Sequence, residues 1–149
     1  MIWINFLHFY QPANIEDRHI KDATEKSYLR IIRALEEHPN IKSTLNITGC
    51  LLERWENSDY LNLIGRIKKL IDKGRIELTG TDAYHPLLPL TPEKEIVWQI
   101  KENERILKKH FGGRFKPAGF FFPEMAYGEK AGKIVKKLGY KWIILDEIA

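Results

Sequence analysis

One cysteine, Cys50, is all that the 149-residue chain carries. No disulfide can close within it, and a zinc site built from cysteines is excluded. A lone thiol fits a reducing compartment. Long apolar runs are missing as well. The opening Met1-Ile2-Trp3-Ile4-Asn5-Phe6-Leu7 is too short to span a bilayer, and it lacks the basic start and cleavage site of a secretory leader. A cytoplasmic location with no membrane partner is the expectation. Blocks of one charge sign are also absent. The 24 Lys and Arg against 20 Asp and Glu leave a formal charge of +4, but the two signs are interspersed. Lys68-Lys69, Lys108-Lys109 and Lys136-Lys137 fall near the ends of predicted helices, where they complement the dipole. No RRM, KH or zinc-finger pattern occurs, so nucleic acid is not an expected partner. A Gly-x-Gly-x-x-Gly turn, a Walker loop and a Gly-x-Ser-x-Gly elbow are all lacking, which narrows the field away from the chemistries those motifs mark. No cofactor is called for, and the sequence carries no signature of oligomeric state.

What is present is a globular composition, 44% hydrophobic and 30% charged, at a length that suits one domain with a real core. Strand-like and helix-like patterns alternate. Strands are predicted over Ile2–Leu7, Ser43–Ile47, Arg75–Gly80, Gly119–Phe122 and Lys141–Leu145, from short apolar or alternating runs. Between them, helices are predicted over Thr24–Glu37, Gly49–Trp55, a stretch capped by Asp59 and closed at Gly74, Thr91–Phe111 and Gly128–Leu138. In the fourth of these Thr91 is the expected N-cap and Pro92 the first helical residue. Such alternation predicts an α/β fold with a parallel sheet and right-handed crossovers. A closed barrel of this type takes about 250 residues. Residues 1–149 therefore read as either an open sheet or, the favoured expectation, the N-terminal portion of a single (β/α) barrel domain.

Polar groups follow the predicted strands, and in parallel barrels that end carries the chemistry. Glu124 closes Gly119-Phe120-Phe121-Phe122-Pro123-Glu124. Pro123 cannot donate a ladder hydrogen bond and so ends the strand. A carboxylate there serves catalysis, caps the next helix or pairs with a surface Lys. After the first strand come His8, Tyr10 and Gln11. Alternation places His8 and Tyr10 on one side and Phe9 on the other, where His and Gln can bind sugar hydroxyls, ligate a metal or satisfy loop backbone. Glu77 interrupts Ile76 and Leu78, so it points either into a lumen, where it needs a partner, or to solvent from an edge strand. Asp82, Tyr84 and His85 follow in a loop, where binding residues concentrate. Aromatics near these ends offer flat faces for sugar rings.

Three ordered segments, His8-Phe9-Tyr10-Gln11-Pro12, Gly74–Gly80 with His85-Pro86, and Gly119–Ala126, resemble glycoside hydrolase family 57 over nearly the whole chain. That family contains α-amylases, amylopullulanases, 4-α-glucanotransferases, branching enzymes and α-galactosidases, which act on α-glycosidic bonds with retention on an incomplete barrel of seven strands. The resemblance implies that Glu124 is the nucleophile, that His8 and Glu77 line the sugar subsite, and that Gln11 and Pro12 shape the first loop. Tyr10 stands where family members often have His. It keeps a hydrogen-bonding tip and loses the titratable ring. Tyr10, Asp82 and His85 join the expected substrate-binding set, and a carbohydrate is the expected partner. Retention also needs a second carboxyl group about 5 to 5.5 Å from the nucleophile. The resemblance puts that acid beyond position 149, and Asp146 does not align with it.

An aromatic, desolvated setting would raise the pKa of Glu124, whereas a nucleophile must be ionised. A donor near Glu124 is therefore expected, with His8 as the candidate. Two rivals have their own signatures. A metal-dependent polysaccharide deacetylase would use His8, Asp82 and His85 as ligands to Zn²⁺. A non-catalytic carbohydrate-binding or assembly fragment would keep the groove without turnover.

Overall fold

The computed structural model describes residues 4–146. In chain order the elements are β1 (Phe6–Phe9), α1 (Asp17–Ala23), a π turn (Thr24–Tyr28), α2 (Leu29–Glu37), β2 (Ser43–Ile47), α3 (Gly49–Glu56), α4 (Leu61–Asp72), β3 (Ile76–Leu78), α5 (Glu93–Phe111), β4 (Gly119–Phe121), α6 (Glu129–Lys137) and β5 (Trp142–Ile144). All strand pairs are parallel, as alternating strands and helices require.

The strands form two sheets rather than one. β1, β2 and β3 make the first, β4 and β5 the second. A single bridge, Gly80 to Phe120, joins them, with the Gly80 N–H donating to Gly119 O at 2.8 Å and the Phe121 N–H to Gly80 O at 2.9 Å. The sequence predicts about five parallel strands of one partial barrel; five parallel strands are present among the described residues, in ladders of three and two. β3 ends at Leu78, and only Gly80 approaches β4. A Cβ on Gly80 would lie 2.3 Å from the Tyr140 ring, so this close approach requires glycine.

Period-two alternation sorts the strand side chains. Phe9, Leu45, Ile47, Ile76, Leu78, Phe120 and Phe122 are buried against helices. His8, Asn46 and Thr79 sit on the other side, linked by hydrogen bonds. The apolar side feeds two cores. The first gathers Phe9, Tyr28, Leu45, Leu52, Trp55 and Ile67 with Ile106 and Phe111 of α5. The second gathers Phe120, Phe122, Val135 and Tyr140 with Ile96 and Ile100 of the same helix.

Several predicted boundaries move. β1 runs Phe6–Phe9 instead of Ile2–Leu7, because its ladder pairs Phe6 with Thr44 through Phe9 with Ile47; residues 1–3 lie outside the described residues. Helix begins at Asp17 rather than Thr24. Only Ile20 of α1 is buried, so α1 carries almost no apolar period to read. The π turn that joins it to α2 buries Thr24 and Tyr28, and the Thr24 hydroxyl accepts the Trp55 indole N–H at 2.9 Å. Neither Asp59 nor Thr91 caps a helix. Tyr60 precedes α4 without a side-chain cap. Pro92 precedes α5 with extended backbone, while the Thr91 hydroxyl donates to Leu87 O. Gly74 does close α4 in the left-handed region, φ 64°. No helix among the described residues is long and apolar enough to cross a membrane.

Candidate active site

β1 and the segments that follow β3 and β4 bring four of the predicted residues together: His8, Tyr10, His85 and Glu124. The ring of His85 lies 4.0 Å from that of Tyr10 and 5.0 Å from that of His8, centroid to centroid. Phe121 supports His8 from beyond, at 4.8 Å. Phe9 points the opposite way into the core, as alternation predicts.

Glu124 sits in a single turn, Pro123–Met125, directly after β4. Its side chain is 72% exposed, which corrects the desolvated setting expected from three neighbouring aromatics. Phe120 and Phe122 are fully buried, but Pro123 lifts the chain off the ladder before Glu124 is reached. The nearest donor is also not the expected one. His85 Nε2 lies 3.1 Å from Glu124 Oε1, whereas His8 turns its Nδ1 to Asn46 Oδ1 at 2.7 Å.

The described residues other than glycine with positive φ are His85 at 61°, Glu124 at 54° and Met125 at 53°. Each left-handed L-residue costs about 1 to 3 kcal/mol and persists only where its surroundings over-determine it. Here the surroundings can be named. Asp82 Oδ1 accepts the His85 N–H at 2.6 Å, and the Tyr84 N–H donates to Gln99 Oε1 on α5. Met125 and Ala126 N–H groups return to Phe122 and Pro123 carbonyls. Strain is thus concentrated on the two residues that hydrogen-bond to each other and on the neighbour of one of them.

Asp82 itself is completely buried, and its second oxygen, Oδ2, finds no partner among the described residues. Burial pushes its carboxyl up to about 7, against hydrogen bonds that pull it down. Burial likewise holds the pKa values of His8 and His85 below the usual histidine value, opposed by Asn46 at His8 and by Glu124 at His85. Both rings are therefore neutral near pH 7, and the His85–Glu124 contact is a hydrogen bond rather than an ion pair. Burial also raises Tyr10.

Two predicted residues stand apart. The Gln11 amide donates to the Tyr28 hydroxyl at 3.1 Å, and that hydroxyl donates to Tyr10 O. Gln11 thereby ties the first loop to the core. Glu77 lies opposite Thr44 in the ladder, nearer the strand N-termini. It is exposed and lines a groove of about 460 Å³ with Lys42, Arg114 and Lys116. No hydrogen bond joins it to the histidines or Glu124 among the described residues.

His8, Asp82 and His85 are not arranged as a ligand set. Among the described residues no group of three His, Cys, Asp or Glu is placed to hold a metal ion. Asn46 and Thr79 were not singled out in the sequence. The signal for Asn46 was there, because Thr44 and Asn46 alternate with Leu45 and Ile47 as His8 alternates with Phe9.

The model of glycosyl hydrolase family 57 matches residues 4–149. An α-amylase of Pyrococcus horikoshii is 33% identical over 147 residues, which cover 97% of this chain and 23% of that protein. Among solved structures, the 4-α-glucanotransferase of Thermococcus litoralis superposes with a TM-score of 0.88 at 24% identity, over 96% of this chain and 22% of that one. A family 4 carbohydrate esterase of Streptomyces lividans superposes at 0.64 with 12% identity, over 97% of this chain and 62% of that one. The likenesses to solved structures show the fold alone. The chain spans less than a quarter of the curated relative described here.

Proposed function

The chain belongs to glycosyl hydrolase family 57, and we propose that the protein carrying it is a retaining glycoside hydrolase or glucanotransferase acting on α-glucans or related α-glycosides. Residues 4–146 are, in this reading, the front part of an incomplete seven-stranded barrel, and the carbohydrate meets its strand ends. Glu124 is the nucleophile. The observation that carries this is its placement: an exposed carboxylate directly beyond a parallel strand, in a strained turn, with one oxygen held by His85 at 3.1 Å. A donor on Oε1 orients the carboxylate and leaves Oε2 to attack the anomeric carbon.

In the first step the C–O bond to the leaving sugar breaks as Glu124 bonds to the anomeric carbon. A general acid protonates the departing oxygen. In the second step that residue, now a base, takes a proton from water or from an acceptor sugar hydroxyl, which displaces Glu124. The acid is proposed to be an Asp beyond position 149, so residues 1–149 alone are expected to show little or no turnover. His8, Tyr10 and His85 form the floor on which a sugar ring rests, and Asp82 acts through His85. A cytoplasmic location is part of the proposal, supported by the free, buried Cys50.

The test is to treat the full-length protein with a 2-deoxy-2-fluoro α-glycosyl fluoride and map the adduct by mass spectrometry. Glu124 should carry the label, and Glu124→Gln should lose both label and turnover. A label on another carboxylate, or normal turnover in Glu124→Gln, refutes the assignment.

A further inference from the structure

We propose that Asn46 is a positioning residue that fixes the tautomer of His8, so that His8 Nε2 meets the substrate as a hydrogen-bond acceptor. The inference rests on the reading of this site as carbohydrate-binding and adds a polarity to one of its groups.

The argument begins at Gly80. Its carbonyl can only accept, and it lies 3.4 Å from the Asn46 amide nitrogen. Turning the amide over would set oxygen against oxygen at that distance, which is repulsive. The Asn46 nitrogen also lies 3.0 Å from the Thr79 hydroxyl, which accepts from it without conflict. With the nitrogen committed to Gly80 and Thr79, the Asn46 oxygen is the atom that faces His8 Nδ1 at 2.7 Å. An amide oxygen cannot donate, so the proton must reside on Nδ1.

The consequence falls on the other ring nitrogen. A neutral imidazole with its proton on Nδ1 has a lone pair on Nε2. That atom is buried and has no partner among the described residues. A buried acceptor left unmatched is costly, so its matching donor is expected from outside the chain. Nε2 is covered in this structure, so a sugar hydroxyl supplies such a donor once the stacked rings of His85 and Tyr10 move off His8. Burial keeps the ring neutral, since it disfavours the imidazolium. Asn46 is itself fully buried, and its position two residues before Thr48, which leads into α3, holds it on a rigid strand. The chain Gly80–Asn46–His8 therefore converts a backbone carbonyl of β3's exit into the polarity of a side chain on β1.

The tautomer is directly observable. In the full-length protein labelled with ¹⁵N-histidine, the signals of His8 are identified by their loss in His8→Gln. One protonated nitrogen at Nδ1 and one lone-pair nitrogen at Nε2 support the proposal, and a proton on Nε2 of the neutral ring overturns it. Asn46→Asp then keeps the size of the side chain and replaces the amide with a carboxylate. This should draw a second proton onto His8, visible as two protonated nitrogens. It should cost roughly ten- to a hundredfold in kcat/KM on a maltooligosaccharide, mostly through KM. In a His8→Gln background the same substitution should cost little. An equal loss in that background means that Asn46 acts only through folding, and the proposal fails. The spectrum needs no turnover. An Nδ1-protonated His8 in a protein without α-glucan activity would sink the proposed function and leave the Asn46–His8 assignment standing.

Discussion

The loop after β3 and the turn after β4 each hold one carboxylate and at least one left-handed residue, yet they use them in opposite ways. In the first, Asp82 is buried and its Oδ1 is committed to the His85 N–H. In the second, Glu124 is exposed and carries the strain in its own backbone. The first loop is a clamp whose carboxylate serves its neighbour. The second is a platform whose carboxylate serves the solvent side. His85 joins them, held by one acid through its backbone and touching the other through its ring. Two carboxylates after parallel strands are thus not equivalent; what separates them is that Glu124 is open to solvent and Asp82 is covered.

The sharpest way to break this division is to remove each acid in the full-length protein. Glu124→Gln should lower turnover by roughly a thousandfold or more, the scale of losing a nucleophile, with no loss of thermal stability. Asp82→Ala should do the reverse. It leaves a buried N–H unpaired at a strained residue, so stability should fall by about 1 to 3 kcal/mol, measured by urea denaturation, with a smaller loss of activity through misplaced His85. If Asp82→Ala abolishes turnover while leaving stability intact, the two roles have been exchanged.

A pH experiment sharpens the same contrast. The Asp82 pKa is raised from 3.8 to about 7 in the fold. Between these values the unfolded chain has released the proton that the native one retains, so this group makes stability fall as pH rises from about 4 to about 7, by on the order of a few kcal/mol. His85 has the opposite sign. Its pKa is lowered from 6.5, so its contribution is complete above 6.5 and is lost as pH falls through the folded value. Melting temperatures of Asp82→Asn and His85→Gln against the parent across pH 4 to 8 should therefore diverge in opposite directions. Parallel curves would contradict the burial of one of the two. The smallest effect is expected at Met125. Met125→Gly relieves a left-handed Met, φ 53°, and should change stability by less than about 1 kcal/mol, whereas Met125→Val should lower it. Equal effects would mean that the turn carries no strain.

Much of this was legible in the sequence, and the rest has identifiable reasons for being hidden. The parallel α/β order follows from strand and helix periods, and Phe9 facing away from His8 follows from alternation alone. The position of Glu124 beyond β4 could be read from Pro123. Its partner could not. His85 reaches Glu124 from a left-handed backbone that histidine does not advertise, and the acceptor that stabilises it, Asp82, looks in sequence like one more candidate ligand. Glu77 illustrates the converse. A charge between two buried apolar residues marks the non-core side of β3, but whether that side meets the site depends on height along the strand, which the sequence does not encode. The π turn is hidden for a similar reason: Thr24 and Tyr28 are buried by contacts from α3 and β1, distant in the chain.

The 19 residues of α5 supply Ile96 and Ile100 to one core and Ile106, Leu107 and Phe111 to the other. With the Gly80 bridge and the contacts of Phe6, His8 and Thr81 to Phe121, this helix spans the seam between the two cores. His8 and His85 belong to one side of that seam and Glu124 to the other. Local opening should therefore follow the seam, and amide exchange should report it: Phe121, which donates across the bridge to Gly80, should exchange earlier than Leu45 in the interior of the first sheet. On this view Glu124 and His85 become a pair only after the two cores meet, so their contact is a late product of folding.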